Sequence, residues 1–373
     1  MKIIHVVTYV SPDGAFGGPT RVALAQAEEL AARGHEVSVF AAAPAARAAS
    51  TEQDGYVLRT FPAQRPPIVR GFAFLRARGM LRALKRTLQS VDVAHVHLAR
   101  DLVTLPAASL FRRQGTPYVV QPHGMIDASD RLLAVPLDKF ATRPALRGAA
   151  EVLALTARET SDLVGVAPGI VPRRIGNGLK LGNIPPYEGR GDVVMFLARL
   201  HPRKRPLAFV RMAALLAERF SSARFVLIGP DEGEGAAVRD AIAGSGHSEQ
   251  ITWMGAASPE RTDELLATAK VYVLPAFDEV FPMSVLEAMR AGTPVVTTDS
   301  LGIAADCRAH GAALVTDGSA HQLAAAVASL LDDATLAEEI RIGAGRYLEE
   351  QLNIARVAEQ LESAYAAAAG NRR

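Results

Sequence analysis

Short apolar runs separated by amphipathic stretches alternate along the whole 373-residue chain. Strands are predicted at 3–7, 36–40, 93–97, 118–121 and 151–154, then at 193–198, 224–228, 271–274 and 294–297. Several are unbroken Val, Ile, Leu and Ala runs rather than in-out alternations, the pattern of parallel strands covered on both faces. Helices fill the intervals: 21–33 carries Val22, Leu24 and Ala25 and closes at Gly34, where a left-handed residue ends a helix without Cβ strain. The alternation runs through twice, and the glycine-rich stretch 175–191, with Pro185-Pro186, is the predicted linker. Two doubly wound α/β domains follow, 1–182 and 183–352. A final helix, 353–369, shows Ile354, Val357, Leu361 and Tyr365 at helical spacing with no strand after it. The Ala-rich 41–49 reads as a loop or short helix, and no fixed-period repeat is present.

Composition narrows the class. With 49% hydrophobic and 21% charged residues the chain has the makeup of a folded protein rather than a disordered one. The single cysteine, Cys307, excludes an internal disulfide and a cysteine metal cage, and a reducing, cytoplasmic setting is expected. The first residues enter a strand at once, without the pattern of a signal peptide, and no stretch approaches about 18 uninterrupted apolar residues.

The net charge of +2 conceals an asymmetry: residues 1–189 hold 23 Lys and Arg against 15 Asp and Glu, and residues 190–373 hold 18 against 24. A basic first half suits an anionic partner, either a phospholipid surface or an acceptor carrying phosphate; uneven solvated charge is the plainer reading. Residues 71–89 set Phe72, Phe74, Leu75, Met80, Leu81, Leu84 and Leu88 among Arg70, Arg76, Arg78, Arg82, Lys85 and Arg86. Such a helix can lie peripherally on an anionic membrane or pack on its own sheet with the cations outward. Nothing points to nucleic acid.

The most specific segment is 273–296. A strand ends at Pro275, a loop follows, a helix starts near Met283 or Ser284, Gly292 closes it and Pro294 opens the next strand. Ligands of open α/β sheets bind beyond the carboxyl ends of the strands, where a helix N-terminus offers N–H groups and positive dipole to phosphate. Glu287, a turn into that helix, can accept two hydrogen bonds from a cis-diol such as ribose, and Glu279 on the loop can reach a second group.

Glu279-x7-Glu287, with Phe281 after the first glutamate and Ala288-Met289 after the second, resembles the signature of the retaining glycosyltransferases of family four, which have GT-B architecture. The resemblance implies two Rossmann-like domains facing across a cleft, with a C-terminal helix crossing back to the first. It further implies transfer of a hexose-type sugar from a nucleotide diphosphate donor, UDP- or GDP-linked, to a glycan, lipid-linked or small-molecule acceptor, as in polysaccharide biosynthesis. Glu279 would contact the donor sugar, Glu287 the ribose, and the backbone amides of Val280, Phe281, Pro282, Met283 and Ser284, insofar as each has one, the phosphate and sugar. Arg199 and Lys204, five apart after strand 193–198, match the family's cation pair; they would stabilise the charge developing on the leaving diphosphate. Gly17 and Gly18, before the first helix, match its double-glycine loop and would contact phosphate. His123 matches its cleft histidine, which hydrogen-bonds the transferred sugar. Arg174-Ile175-Gly176-Asn177-Gly178 is similar to its Ile-Pro-Asn-Gly turn, with glycine in place of proline.

His95 and His97 share one face of a strand and could formally chelate a metal, but no third ligand is evident and a cleft-lining or structural role is expected for both. The glycine loop 229–235 lacks the third glycine of a dinucleotide fingerprint. No carboxylate stands out as a covalent nucleophile. Front-face displacement is therefore expected, with the leaving phosphate helping to deprotonate the acceptor, no cofactor and no metal. A nucleotide-sugar epimerase or phosphorylase of the same fold, or a non-catalytic nucleotide-sugar binding protein, are the rival classes.

Overall fold

The computed structural model describes residues 1–11, 18–44, 46–65, 74–127 and 134–370. The chain divides into two compact units, Met1–Lys180 with Leu352–Arg373, and Leu181–Gln351.

The first unit carries strands β1 (Lys2–Tyr9), β2 (Glu36–Ala43), β3 (Ala49–Gln53), β4 (Tyr56–Gln64), β5 (Arg76–Ala77), β6 (Val93–Val96), β7 (Tyr118–Val120), β8 (Glu151–Ala154) and β9 (Arg173–Arg174). Their sheet order is β3-β4-β2-β1-β6-β7-β8-β9, with β5 on β4. The run from β4 to β9 is parallel, whereas β3 and β5 each pair antiparallel with β4. The central strands are buried along almost their whole length, as their unbroken apolar sequences require. One face is covered by the helix Ile354–Gly370, whose Val357, Leu361, Ala364, Tyr365 and Ala368 share a core with Ile3, Val7, Leu30 and Val93. Burying Val357 and Leu361 alone contributes about 1.5–3 kcal/mol each. Arg33 adds a two-pronged contact to Glu362 at 3.0 and 3.1 Å. The C-terminal segment thus completes the first unit, although all of the second unit lies between them in sequence.

Two expectations change. Residues 41–43 finish β2 and Ala49 opens β3, so the Ala-rich stretch is not a helix. Asp54 and Gly55, at φ 43° and 83°, then turn the chain from β3 into β4, a two-residue connection with both φ values positive. Strand β3 is exposed throughout, so it shows no apolar alternation to read. The basic segment 71–89 is not one helix either. From Phe74 onward it forms β5, a turn at Gly79 (φ 84°) and a helix only over Met80–Thr87; Arg70 and Phe72 lie outside the described residues. Leu75, Met80, Leu84 and Leu88 are buried in the core of their own unit, and Phe74 and Leu81 are left exposed. That is the packing arrangement of the two considered for these residues.

The second unit holds β10 (Val193–Leu197), β11 (Arg224–Ile228), β12 (Ile251–Trp253), β13 (Val271–Leu274), β14 (Val295–Thr298) and β15 (Leu314–Thr316). They form a parallel sheet in the order β12-β11-β10-β13-β14-β15. This is the doubly wound order in which the connections reverse direction between the first and fourth strands, here β10 and β13. Arg190 ties the entry segment to this unit. Its guanidinium donates to the carbonyls of Ala269, Ala291, Pro185 and Pro186 and to Thr293 Oγ1, at 2.8–3.3 Å.

Candidate functional site

The reversal point of a doubly wound sheet leaves a crevice at the carboxyl ends of the two strands that flank it. In the second unit those are the ends of β10 and β13, from which the 199–205 and 277–282 segments emerge. A backbone hydrogen bond from Phe277 N to the Arg203 carbonyl, 2.8 Å, joins the two segments. Arg205 and Asp278, both at positive φ (54° and 56°), turn the chain sharply at either side of it. The result brings Lys204 and Glu279 together: Nζ lies 2.5 Å from both carboxylate oxygens. Their side chains are only 12% and 18% exposed, against 55% for Arg199 and 56% for Arg203. Of these three cations, Lys204 is the one built into the protein.

Arg199 does not join that pair. Its guanidinium reaches Glu232 Oε1 and Oε2 at 2.9 and 2.7 Å, on the loop after β11. That loop is pressed against β10. Leu200 N donates to the Pro230 carbonyl, and Glu232 N and Glu234 N both donate to the Leu200 carbonyl. Gly229 permits the approach: at φ 152°, a Cβ there would sit 1.9 Å from the Ala198 carbonyl oxygen. Asp231 organises the remainder, accepting from Gly233 N and Gly235 N at 2.9 Å each, which holds its carboxyl below the usual range.

Beyond β13, Val280, Phe281, Met283 and Ser284 are partly exposed and Pro282 is buried. The helix runs Met283–Arg290 after Pro282, whose extended ψ of 99° starts it abruptly. Glu287 lies within it, 7% exposed. Beneath them the hydroxyl of Tyr272 donates to Ser284 Oγ at 2.8 Å and reaches the Leu197 carbonyl at 3.2 Å. Burial pushes that phenol far above its ordinary range, and the charges of Glu279 and Glu287 push it further in the same direction. Tyr272 thus fastens the start of the helix to the end of β10.

In the first unit the corresponding reversal is between β1 and β6. A cavity of about 140 Å³ lies there, lined by Thr8, Tyr9, Thr20, His97, Arg100 and Asp101 among others. Asp101 is buried, and its Oδ1 accepts from Val103 N, Thr104 N and Thr104 Oγ1. Arg100 is held by Asp138 at 2.9 Å and Asp127 at 3.0 Å. Gly18 opens the helix Gly18–Ala32, and a Cβ there would meet nothing among the described residues within 4 Å. Gly17 lies outside the described residues.

His123 follows β7 in a left-handed conformation, φ 55°. Its Nε2 is 2.7 Å from His97 Nδ1 and its Nδ1 is 3.0 Å from Asn177 Oδ1. Burial lowers its pKa to about 4 and that of His5 to about 3, and holds His95 and His97 well below their usual value. All four rings are therefore neutral near pH 7. The third histidine that was not evident beside His95 and His97 is His5: register pairs it with His95 across β1 and β6, and one nitrogen of each of the three rings lies within 4.8 Å of the others. Two positions matter here that motif reading did not single out, His5 and Tyr365. Strand parity could have found the first; only the return of the C-terminal helix brings in the second.

The two halves also match two family models, glycosyl transferase 4-like domain over residues 17–178 and glycosyl transferases group 1 over residues 184–346. A D-inositol 3-phosphate glycosyltransferase of Rhodococcus erythropolis is 26% identical over 389 residues, covering 93% of this chain and 86% of its own. A 2-deoxystreptamine glucosyltransferase of Streptomyces kanamyceticus is 27% identical over 286 residues, covering 68% and 71%. The crystal structure of Anabaena Alr3699/HepE in complex with UDP has the same fold, with a TM-score of 0.75, 16% identity and coverage of 98% and 100%. Two successive matches that together span most of the chain, on two doubly wound units with the C-terminal helix returned to the first, place it in the glycosyl transferases group 1 family as a glycosyltransferase of GT-B fold.

Proposed function

We propose that the chain is a retaining, family-four hexosyltransferase that uses a UDP- or GDP-linked sugar, with the diphosphate and sugar held at the ends of β10 and β13. The observation that carries this reading is the contact of Lys204 with Glu279. A cation and a carboxylate lie side by side at the reversal point of a doubly wound sheet, next to a helix N-terminus and a buried Glu287. Lys204 is assigned to the leaving diphosphate, Glu279 to the transferred sugar and Glu287 to the ribose. Val280, Phe281, Met283 and Ser284 supply backbone N–H groups. Arg199 would leave Glu232 to join Lys204 on the diphosphate; its exposure makes that exchange inexpensive.

The reaction is read as front-face displacement: the acceptor oxygen attacks from the side the diphosphate leaves, and a diphosphate oxygen takes the acceptor proton. Lys204 and Arg199 act on charge that grows along this path, so they favour the transition state over the bound donor. His123 is assigned to the sugar site, and Gly17 and Gly18 to phosphate. Acceptor binding is assigned to the first unit, in the cavity beside Thr8, Thr20 and Asp101. The name of the Rhodococcus relative, a D-inositol 3-phosphate glycosyltransferase, supports a polyol or sugar acceptor that carries phosphate. The basic first half supports the same choice, or peripheral association with an anionic membrane.

Melting the protein with UDP-, GDP- and ADP-sugars in turn identifies the donor, since a ligand at 100 times its Kd stabilises by about 2.7 kcal/mol. Proton NMR of the product formed with that donor reads the anomeric configuration. A product of inverted configuration, or no stabilisation by any nucleotide sugar, removes the proposal.

A further inference from the structure

We infer that six side chains of the first unit form a one-way hydrogen-bonded chain that makes His97 a positioning residue for His123. The chain runs from His95 Nδ1 to the Tyr365 hydroxyl (2.7 Å), on to His5 Nε2 (3.4 Å), from His5 Nδ1 to His97 Nε2 (3.0 Å), from His97 Nδ1 to His123 Nε2 (2.7 Å), and from His123 Nδ1 to Asn177 Oδ1 (3.0 Å). Each imidazole is neutral, so it has one N–H and one lone pair. Fixing the proton on one ring fixes every other.

Both ends agree on the direction. Asn177 meets His123 with its carbonyl oxygen, which can only accept, so His123 carries its proton on Nδ1. Its Nε2 must then accept from His97 Nδ1–H, His97 Nε2 from His5 Nδ1–H, and His5 Nε2 from the Tyr365 O–H. That hydroxyl, having given its proton, accepts from His95 Nδ1–H. At the far end His95 Nε2 is buried without a hydrogen-bond partner among the described residues. In this direction the orphan is a lone pair. In the reverse direction, with the Asn177 amide turned over and every ring protonated on Nε2, it would be a buried N–H, the rarer and costlier defect.

Both nitrogens of His123 are therefore committed inside the first unit. Its ring is held in one tautomer and one orientation by His97, which is itself anchored through His5 to Tyr365 on the C-terminal helix. The consequence for transfer rests on the placement of His123 in the sugar site; the chain itself does not. If that placement holds, His123 offers a fixed neutral surface and its left-handed backbone to the substrate, and its ring takes no proton from it.

The test uses the full chain labelled with ¹⁵N-histidine, whose ring nitrogen shifts distinguish the two neutral tautomers. His5, His97 and His123, assigned by single substitutions, are expected to be Nδ1–H. Asn177→Asp keeps an acceptor and should leave them so. His97→Leu removes the donor to His123 Nε2 and should release the His123 tautomer while lowering kcat roughly tenfold with donor KM little changed, as the loss of one hydrogen bond implies; His97→Asn, whose amide N–H stands at the δ position of the lost donor, should restore most of it. Should His97→Leu not fold, the ring signatures of the unsubstituted protein still decide the direction, and the kcat of His97→Ala, a smaller replacement, decides the positioning role. Nε2–H signatures overturn the chain, as does stoichiometric zinc bound at His5, His95 and His97. Unchanged turnover in a folded His97→Leu overturns the positioning role alone. If the unsubstituted protein transfers no sugar while its spectrum shows the Nδ1–H series, the proposed reaction fails and the chain stands.

Discussion

The ammonium of Lys204 and the carboxylate of Glu279, 75 residues apart in sequence, meet at 2.5 Å where a backbone hydrogen bond, Phe277 N to the Arg203 carbonyl, joins the segments after β10 and β13. This contact neutralises both groups before any ligand arrives, so binding exchanges partners rather than creating charge in a partly buried place.

Replacing either member should therefore affect chemistry more than folding. Glu279→Ala and Lys204→Ala are each expected to lower kcat/KM at least 100-fold, about 2.7 kcal/mol of transition-state stabilisation. The double variant should lose less than the sum of the two, because the residues act together. Steady-state kinetics with the donor found by melting checks this; full additivity would mean that the two act on separate steps.

Gly229→Ala should be among the most damaging small changes in the second unit. The added Cβ would stand 1.9 Å from the Ala198 oxygen and 2.6 Å from its carbonyl carbon, at a φ of 152° that an L-residue rarely adopts. A loss of roughly 2–4 kcal/mol is expected. Because the displaced atoms adjoin Arg199, donor affinity should fall as well. Urea unfolding gives the first quantity and a binding titration the second.

Arg190→Ala should lower stability by roughly 2–4 kcal/mol, since it leaves the carbonyls of Ala269 and Ala291 without the fork that now serves them. Arg190→Lys should recover little, because an ammonium cannot span those acceptors. Neither substitution touches the proposed donor contacts. The kcat of the folded fraction should stay close to that of the unsubstituted protein.

The buried histidines give the first unit a pH dependence with a definite sign. Their folded pKa values are depressed, about 3 for His5 and about 4 for His123, below the unfolded value of 6.5. The unfolded chain therefore binds more protons in that window, and stability falls as pH drops below about 6.5, most steeply toward pH 4. Above pH 7 the contribution is constant. Denaturant unfolding at pH 7.5, 6 and 5 checks it: His5→Leu or His95→Leu should flatten the decline, and an unchanged slope in both would place the acid sensitivity elsewhere.

Removing the phenol with Tyr272→Phe deletes the bond to Ser284 Oγ and the contact with the Leu197 carbonyl. About 1 kcal/mol of stability should be lost. Donor KM should rise more than kcat falls, because the start of the helix Met283–Arg290 loses its tie to β10.

Much of this protein can be read from residue order alone. The solid apolar runs specify strands buried on both faces, and their spacing specifies two doubly wound units, because each run can only be covered by the helix that follows it. Glu279, Arg199 and Lys204 stand out as candidates for a similar reason: they follow strand ends, where backbone turns away from the sheet and ligands of such folds bind; Glu287 stands out by its spacing from Glu279. Exposed β3 left no such trace, and the basic residues around Met80 and Leu84 left a surface and a packed reading both open for what is a short core helix.

Order along the chain could not say which cation meets Glu279, that Arg199 is held by Glu232, or that His5 stands beside His95 and Tyr365. These relationships join residues 33 to 360 positions apart. They depend on strand register, on which loops press together, and on the C-terminal helix closing over the first sheet. Local periodicity reports the face a residue occupies. Which partner awaits it there is decided only when distant segments pack.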